Sequence, residues 1–167
     1  MAKGDIRIYN PGGHTDVPTL KWQTDAAATD IYAGEPVKLT GAGSPYATPL
    51  VDGDLTIGTD TQMIGIAASD STHTSTADGF VEVYMPLPGT VWAMKATTVA
   101  NVDTAAEILA LCGDRVVMNL TSSTYTLDEN AGDSATSAFY IIGGDYRDGT
   151  MYFTIRTDAT VLSGESV

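Results

Sequence analysis

Few residues of this chain have both the type and the spacing that chemistry requires. The histidines, His14 and His73, lie far apart, and the single cysteine, Cys112, is distant from both. Since a structural zinc site takes about four nitrogen or sulfur ligands, these residues cannot form one. The dinucleotide-binding and phosphate-binding glycine motifs are absent, as is the G-x-S-x-G nucleophile motif. We therefore expect no metal, no cofactor and no enzymatic activity.

An enzyme stays open as a weaker alternative, because a Ser-His-Asp triad assembles from distant positions. Its site would be built from scattered serine, threonine, histidine and aspartate residues. Cys112 itself lies in an apolar stretch, where a cysteine is usually a small core residue. We therefore predict that its thiol is buried.

Two clusters of carboxylates could bind a hard cation such as calcium, which takes several oxygen ligands. Neither cluster follows the residue order of an EF-hand loop. Aspartates also favour turns, because they cap nearby amides, so we interpret both clusters as solvated turn residues. The clusters are Asp52, Asp54 and Asp60, and Asp128, Glu129 and Asp133.

The charge of the chain limits its partners. Eight bases against 21 acids give a formal net charge of −13, and a nucleic-acid backbone needs a clustered positive surface, so we expect no nucleic-acid partner. Residues 1–21 hold three bases and two acids (3 − 2 = +1), which leaves 5 − 19 = −14 for the other residues. The leading segment could thus approach another protein while the body keeps free copies apart. A generic acidic surface explains the charge equally well.

The length of 167 residues suits one domain with an arm or a tail. The N-terminal residues MAKGDIRIYN lack the apolar region of an export signal, and no apolar run is long enough to span a membrane. The sequence predicts a soluble chain without a membrane partner.

The elements that must hold these residues change in character near residue 31. Residues 1–30 show little periodicity beyond the short alternating stretch IRIY, so we predict an extended N-terminal arm that is ordered mainly by what it lies against. A flexible tail is the alternative. Residues 31–160 form the predicted body, and residues 161–167 form a polar C-terminal tail.

The body has the pattern of an all-β domain. Threonine, valine, isoleucine and tyrosine alternate between glycine, proline and aspartate residues, which predicts a small sandwich or barrel. The predicted strands lie at VKL, YATPLV, MIGI, FVEVYM, VWAM, RVVMNL, STYTL, SAFYIIGG and TMYFTIR, with GGDYRDG as a hairpin turn between the last two.

One short helix is predicted at residues 104–112. Thr104 and Glu107 have the spacing of a capping box, and Gly113 ends the helix. A helix of this length is marginal alone, so it must pack on the sheet. Its predicted buried face comprises Ile108, Leu109, Leu111 and Cys112.

The stretch FVEVYMPLPGTVWAMK, residues 80–95, contains no group suited to catalysis. Its prolines cannot donate ladder hydrogen bonds, so we predict two core strands that meet at a sharp bend. Large apolar residues near the bend and in the arm could instead be exposed contact residues, as is typical of interfaces. These candidate contact residues are Trp22, Tyr32, Met85 and Leu87.

The runs AGEPVKLTG (33–41) and IGIAASDSTHTSTADGFVEVYMPLPGTVW (64–92) resemble the head decoration, or cement, proteins of tailed bacteriophages. The resemblance implies an all-β barrel or tulip-like body with a short helix. It also implies a trimer on the outer surface of the capsid, made in the host cytoplasm, whose arm adds a strand to the major capsid protein or lies along it. The chain differs from the smallest members of this family by its extra predicted strands after residue 114.

On this resemblance the function is to stabilise the expanded shell by bridging neighbouring capsid subunits. The stretch that carries the arm's contact comprises Ile6, Arg7, Ile8 and Tyr9. A second hypothesis is a carbohydrate-binding, head-fibre or adhesion module. It is motivated by Trp22, Trp92 and the eight tyrosines, since exposed aromatic rings can stack on sugars.

Overall fold

The computed structural model describes residues 6–41, 44–51, 63–122, 124–133 and 136–160. The aspartate cluster at residues 52–60 and the predicted C-terminal tail lie outside these ranges. In chain order the strands are β1 (Arg7–Asn10), β2 (Thr19–Thr24), β3 (Pro36–Leu39), β4 (Ala47–Pro49), β5 (Met63–Ala67), β6 (Gly79–Tyr84), β7 (Val91–Lys95), β8 (Arg115–Thr121), β9 (Thr124–Asp128), β10 (Phe139–Asp145) and β11 (Thr150–Ile155).

The strands form two antiparallel sheets. One has six strands in the order β1-β7-β11-β10-β8-β9, and the other has five in the order β2-β6-β5-β3-β4. The five-stranded sheet is curled, so that its two edge strands approach each other. An isolated β-bridge joins Gln23 of the edge strand β2 to Tyr46, which directly precedes the other edge strand, β4. Over the described residues the fold is sandwich-like and neither sheet closes into a barrel. The predicted all-β class is confirmed.

Two apolar clusters hold the sheets. The larger cluster draws on both sheets and contains the fully buried Trp92 and the edge-to-face pair Phe139 and Phe153, whose ring centroids are 5.4 Å apart. The smaller cluster lies within the curl of the five-stranded sheet, with Val37 and Val83 among its members. Strand alternation explains both, since every second residue of β6 and β11 is buried.

The bent segment at residues 80–95 joins the two sheets. It runs as β6 through the five-stranded sheet, turns at Pro86-Leu87-Pro88-Gly89 and continues as β7 in the six-stranded sheet. The N-terminal segment follows the same path in the opposite direction, because β1 pairs with β7 and β2 pairs with β6. Together they form a bent two-stranded ribbon that crosses from one sheet to the other.

The two bends of this ribbon touch at a pair of glycines. Gly12 has φ +68°, and a Cβ at this position would lie 2.4 Å from the carbonyl carbon of Gly89. Only glycine allows both this backbone conformation and this approach. Beside it, the Met85 amide donates to the Pro18 carbonyl over 3.0 Å, which joins the bends a second time.

The prediction that residues 1–30 form an extended arm does not hold for residues 6–30, the part that the structure describes. This part pairs with both sheets and contributes to the core. Ile6 is only 5% exposed and Val17 only 2%, and both belong to the larger core cluster. The alternation of IRIY turns its isoleucines towards the core, and β7 offers a free edge to pair with. Strand β2 was not predicted, because TLKWQT mixes polar and apolar residues on a sheet edge.

The predicted helix is confirmed as α1 (Ala105–Leu111), although its buried face is narrower than expected. The Thr104 hydroxyl accepts from the Glu107 amide and the Glu107 carboxylate accepts from the Thr104 amide, which completes the capping box. Ile108 alone is buried, over Gly144 of β10. Leu109 is 73% exposed and Leu111 is half-buried.

The prediction that the Cys112 thiol is buried is wrong, because the thiol is exposed. A helix of two turns that rests on one edge of the core can bury only one stripe of side chains. Among the described residues no helix has the length and apolar character needed to cross a membrane.

Substitution of the two glycines of the N-terminal bend separates steric contact from backbone strain. We expect Gly12→Ala to lower the free energy of unfolding by about 2–4 kcal/mol, because its methyl group overlaps the backbone of Gly89. Gly13→Ala is the matched control, since Gly13 also has positive φ but has no atom within 4 Å of a Cβ. It should cost about 1 kcal/mol. Equal losses in urea denaturation would contradict the close approach.

Candidate interaction surface

The outward face of the six-stranded sheet carries tyrosines on three strands, two of them exposed and the third, Tyr152, half-buried. They are Tyr9 on β1, Tyr140 on β10 and Tyr152 on β11. Strand pairing places them on one side of the sheet. Tyr140 is paired with Thr154, which lies two residues after Tyr152 in β11 and so points to the same side. Tyr152 is paired with Ala93, and Ala93 is paired with Arg7, two residues before Tyr9. We call this surface the tyrosine face and define it by Arg7, Tyr9, Arg115, Tyr140 and Tyr152.

A stacked pair of rings forms the centre of the tyrosine face. The rings of Tyr9 and Tyr152 are 3.9 Å apart between centroids and inclined by 20°. The small residues Ala93 and Gly143 flank Tyr152 on the neighbouring strands, which leaves room for its ring to lie on the sheet. Burial, followed by the hydrogen bond with the Tyr9 hydroxyl, raises the pKa of Tyr152. Tyr9 remains 57% exposed, so the pair presents a fixed aromatic surface to solvent.

The far side of the tyrosine face is fixed by an ion pair. Arg115 faces Tyr140 across β8 and β10 and donates to Asp133 through Nε over 2.8 Å and Nη2 over 2.7 Å. The Asp133 carboxylate also accepts from the Arg115 amide over 3.0 Å. These hydrogen bonds lower the pKa of Asp133 to about 2. The guanidinium is thereby held beside Tyr140.

The tyrosine face is less acidic than the chain as a whole. By strand pairing, the charged residues that share this side of the strands are Arg7, Lys95, Arg115, Asp128 and Asp145. Asp133 and Asp148 lie in adjoining turns and pair with Arg115 and Lys95, so these seven residues sum to 3 − 4 = −1, against −13 for the whole chain. Interfaces favour tyrosine and arginine and disfavour acidic residues at their centres, so this face has the composition of a contact surface.

The predicted arm residues divide between the core and this face. Ile6 is buried and Ile8 is half-buried against the larger core cluster. Arg7 and Tyr9 point outwards and belong to the tyrosine face. The segment thus presents two side chains on a paired strand.

The four candidate contact residues are half-buried and lie in different elements. Trp22 packs on the smaller core cluster from β2. Tyr32 lies in the loop before β3, where its hydroxyl is 3.4 Å from Asp30. Met85 and Leu87 lie in the bend between β6 and β7. Their role as an interface stays a prediction.

The histidines lie in separate loops. The side chain of His73 is 3% exposed, and its Nε2 lies 3.0 Å from the Ala28 carbonyl and 3.4 Å from Asp30 Oδ1. It joins the loop at residues 25–35 to the loop at residues 68–78. His14 is exposed in the N-terminal bend. The two are thus held by different parts of the fold.

The second carboxylate cluster is engaged within the fold. Glu129 is buried and accepts from the amides of Thr97 and Thr98 and from the side chains of Asn101 and Asn130. Asp133 binds Arg115 as described above. The prediction of solvated turn residues is therefore wrong for Glu129, which is buried because backbone amides and asparagine side chains replace water around its carboxylate.

The carboxyl pKa of Glu35 lies well above its ordinary value. Its carboxyl is fully buried in the loop that precedes β3, where Oε2 accepts from the Tyr32 amide over 2.9 Å and Oε1 has no partner. Burial raises its pKa to about 7, with the charge of Asp70 as a smaller cause. A carboxyl enclosed in this way has no access to a dissolved substrate. Its raised pKa instead makes the stability of the folded protein depend on pH.

Sequence reasoning identified Arg7 and Tyr9 but not Tyr140 or Tyr152. The signal was present, because SAFYIIGG and TMYFTIR each place a tyrosine between residues of the core. In β11 the alternation puts Met151 and Phe153 inside and Tyr152 outside. Naming the face also requires the strand order, which brings β1 and β11 to either side of β7.

Comparison with known proteins found no match to this chain among protein-family models, curated proteins or solved structures. The likeness to phage decoration proteins therefore depends on the residues quoted from the sequence.

Glu35→Gln tests the buried carboxyl through pH. In the unfolded chain the carboxyl loses its proton near its ordinary pKa of 4.5, whereas the folded protein keeps it up to about pH 7. The wild type therefore loses stability as pH rises between these values, because the unfolded chain releases the proton while the folded protein still holds it. We expect the variant to gain about 3 kcal/mol over the wild type on going from about pH 4 to about pH 8. A stability difference that does not change with pH, measured by urea denaturation, would exclude the raised pKa.

Proposed function

We propose that this protein is a structural virion protein that binds the outside of a bacteriophage capsid and stabilises the expanded shell. It does so by bridging neighbouring copies of the major capsid protein, and it acts as a trimer. The resemblance of residues 33–41 and 64–92 to phage head decoration proteins supports this proposal. The all-β body agrees with the fold that the resemblance implies.

The observation that carries the proposal is the position of Arg7 and Tyr9. The resemblance assigns the capsid contact to the stretch that contains them, and both lie on the tyrosine face beside Tyr152. Tyrosine and arginine supply most of the binding energy at many protein interfaces. Their side chains stand on a paired strand, so less conformational freedom is lost on binding than with a flexible arm.

The mechanics of a capsid favour a contact of this kind. A shell expanded by packed DNA is pushed outwards, and a protein that bridges its subunits must resist being stretched. Two sheets joined by a doubled ribbon transmit force between their contact points without first unfolding. Three linked copies raise the effective affinity of a modest contact, which suits binding at many equivalent positions.

Co-sedimentation with expanded shells that lack the protein tests the proposal. We expect saturable binding by the wild type and binding at least roughly tenfold weaker for Tyr9→Ala, because a central aromatic contact is worth about 2 kcal/mol or more. Phe80→Ala is the matched control, since Phe80 is 55% exposed on β6 of the other sheet and Tyr9 is 57% exposed. It should bind like the wild type.

Failure of the wild type to sediment with shells at saturating concentration would contradict the proposal. Equal losses for Tyr9→Ala and Phe80→Ala would leave the proposal standing but would remove the tyrosine face as the site of contact. Thermal unfolding of each variant checks that the body is intact.

A carbohydrate-binding or adhesion module is the second candidate, and exposed aromatic residues favour it. Tyr140 and Tyr146 are each about two-fifths exposed, and the Arg147 guanidinium lies 5.9 Å from the centre of the Tyr146 ring. Aromatic rings with polar neighbours can stack on sugars. Specific binding on a glycan array, lost in Tyr140→Ala, would support this function over capsid binding.

A further inference from the structure

A small polar cleft opens at the β1 end of the tyrosine face. Its volume is about 70 Å³, and it is lined by Arg7, Ala93, Met94, Lys95, Asp148 and Thr150. Ala93 lies between Arg7 and Tyr152 in a row across three strands. Ala93, Met94 and Thr150 are buried, so the cleft opens to solvent along Arg7, Lys95 and Asp148.

The lysine of the cleft is already neutralised. Lys95 Nζ lies 2.6 Å from the Asp148 carbonyl, 3.0 Å from Asp148 Oδ2 and 3.1 Å from Thr150 Oγ1. The hydrogen bond from Lys95 is the first cause of the lowered pKa of Asp148, which keeps this carboxylate ionised. Lys95 and Asp148 therefore form a balanced pair with no net charge.

Arg7 differs from Lys95 because its charge is not compensated. Its guanidinium has no hydrogen bond or ion pair with any residue that the structure describes. Arg115 is also paired, to Asp133. The cleft thus presents one positive charge and a fork of N–H donors on the face that carries the stacked tyrosines.

We infer that this cleft binds a carboxylate, and that the carboxylate is an acidic side chain of the protein on which the tyrosine face docks. The arginine fork matches the two oxygens of a carboxylate. About 10–15 Å³ of cleft volume suffices for one water molecule, so a cleft of about 70 Å³ admits a group of carboxylate size. The identity of the docked protein, the capsid subunit, rests on the proposed function.

Charge favours a single carboxylate over a polyanion. The chain carries a formal charge of −13, so a nucleic acid or another densely charged partner is repelled by the rest of the molecule. One acidic side chain in the cleft meets the charge of Arg7 beside the balanced pair of Lys95 and Asp148. Beside it, the Tyr9 and Tyr152 rings exclude water from the contact, which strengthens the charged hydrogen bond.

The site can be tested without any shell. Acetate serves as the carboxylate probe in an NMR titration of the isolated protein, with chloride at equal ionic strength as the control anion. We expect acetate alone to shift the Arg7 Nε–H and Tyr9 ring resonances of the wild type to saturation, and to leave the Tyr9 ring resonances unshifted in Arg7→Gln. Equal shifts with acetate and chloride, or shifts that persist in the Tyr9 ring of Arg7→Gln, would overturn the carboxylate site.

Shell binding then tests the partner. Arg7→Gln should bind expanded shells roughly tenfold or more weakly, as expected for loss of a hydrogen bond to a charged group. Arg147→Gln is the matched control, because Arg147 lies in the exposed β10–β11 turn outside the cleft, and should bind like the wild type.

The outcomes separate the two proposals. If wild type and Arg7→Gln sediment equally with shells, the docking role of the cleft is wrong and the proposed function stands. If acetate saturates the site but the wild type does not bind shells, the carboxylate site stands and the proposed function is wrong. If Arg7→Gln instead dissociates an oligomer of the free protein, the carboxylate belongs to a second copy, which overturns the assignment to a capsid subunit.

Discussion

The fold depends on the contact between two backbone bends, where Gly12 lies against Gly89. This contact allows the N-terminal segment to follow residues 79–95 from one sheet to the other, so that each sheet gains an edge strand. A side chain at residue 12 would force the two bends apart and strain the pairing of β1 and β2, because its Cβ would overlap the Gly89 backbone. The apolar residues Ile6 and Val17 then complete the core on either side of the bend.

The same constraint determines what the surface presents. Because β1 pairs with β7, the alternation of its residues turns Ile8 inwards and Tyr9 outwards, and Tyr9 meets Tyr152 two strands away. A contact surface made in this way is rigid before it binds. In the proposed role, the preformed tyrosine face of the body binds the capsid. The ordering of a free arm contributes less to this binding than the sequence suggested.

Much of the fold follows from sequence pattern, and the exceptions have physical causes. Strong alternation located the strands of the body, and the Thr104–Glu107 spacing located the helix. Strand β2 was missed because an edge strand needs only one apolar side, and Cys112 was misplaced because apolar neighbours in a short helix do not all reach the core. Tyr140 and Tyr152 could be recognised as outward residues, but their proximity to Tyr9 depends on long-range strand order.

Hydrogen exchange of the isolated protein measures most directly whether the N-terminal segment belongs to the body. The amides of β1 and β2 that point towards β7 and β6 should exchange as slowly as the partner amides on those strands, because both are released only when the ribbon opens. Exchange of every amide in residues 6–24 at the rate of an unfolded chain, with β6 and β7 still protected, would contradict this account.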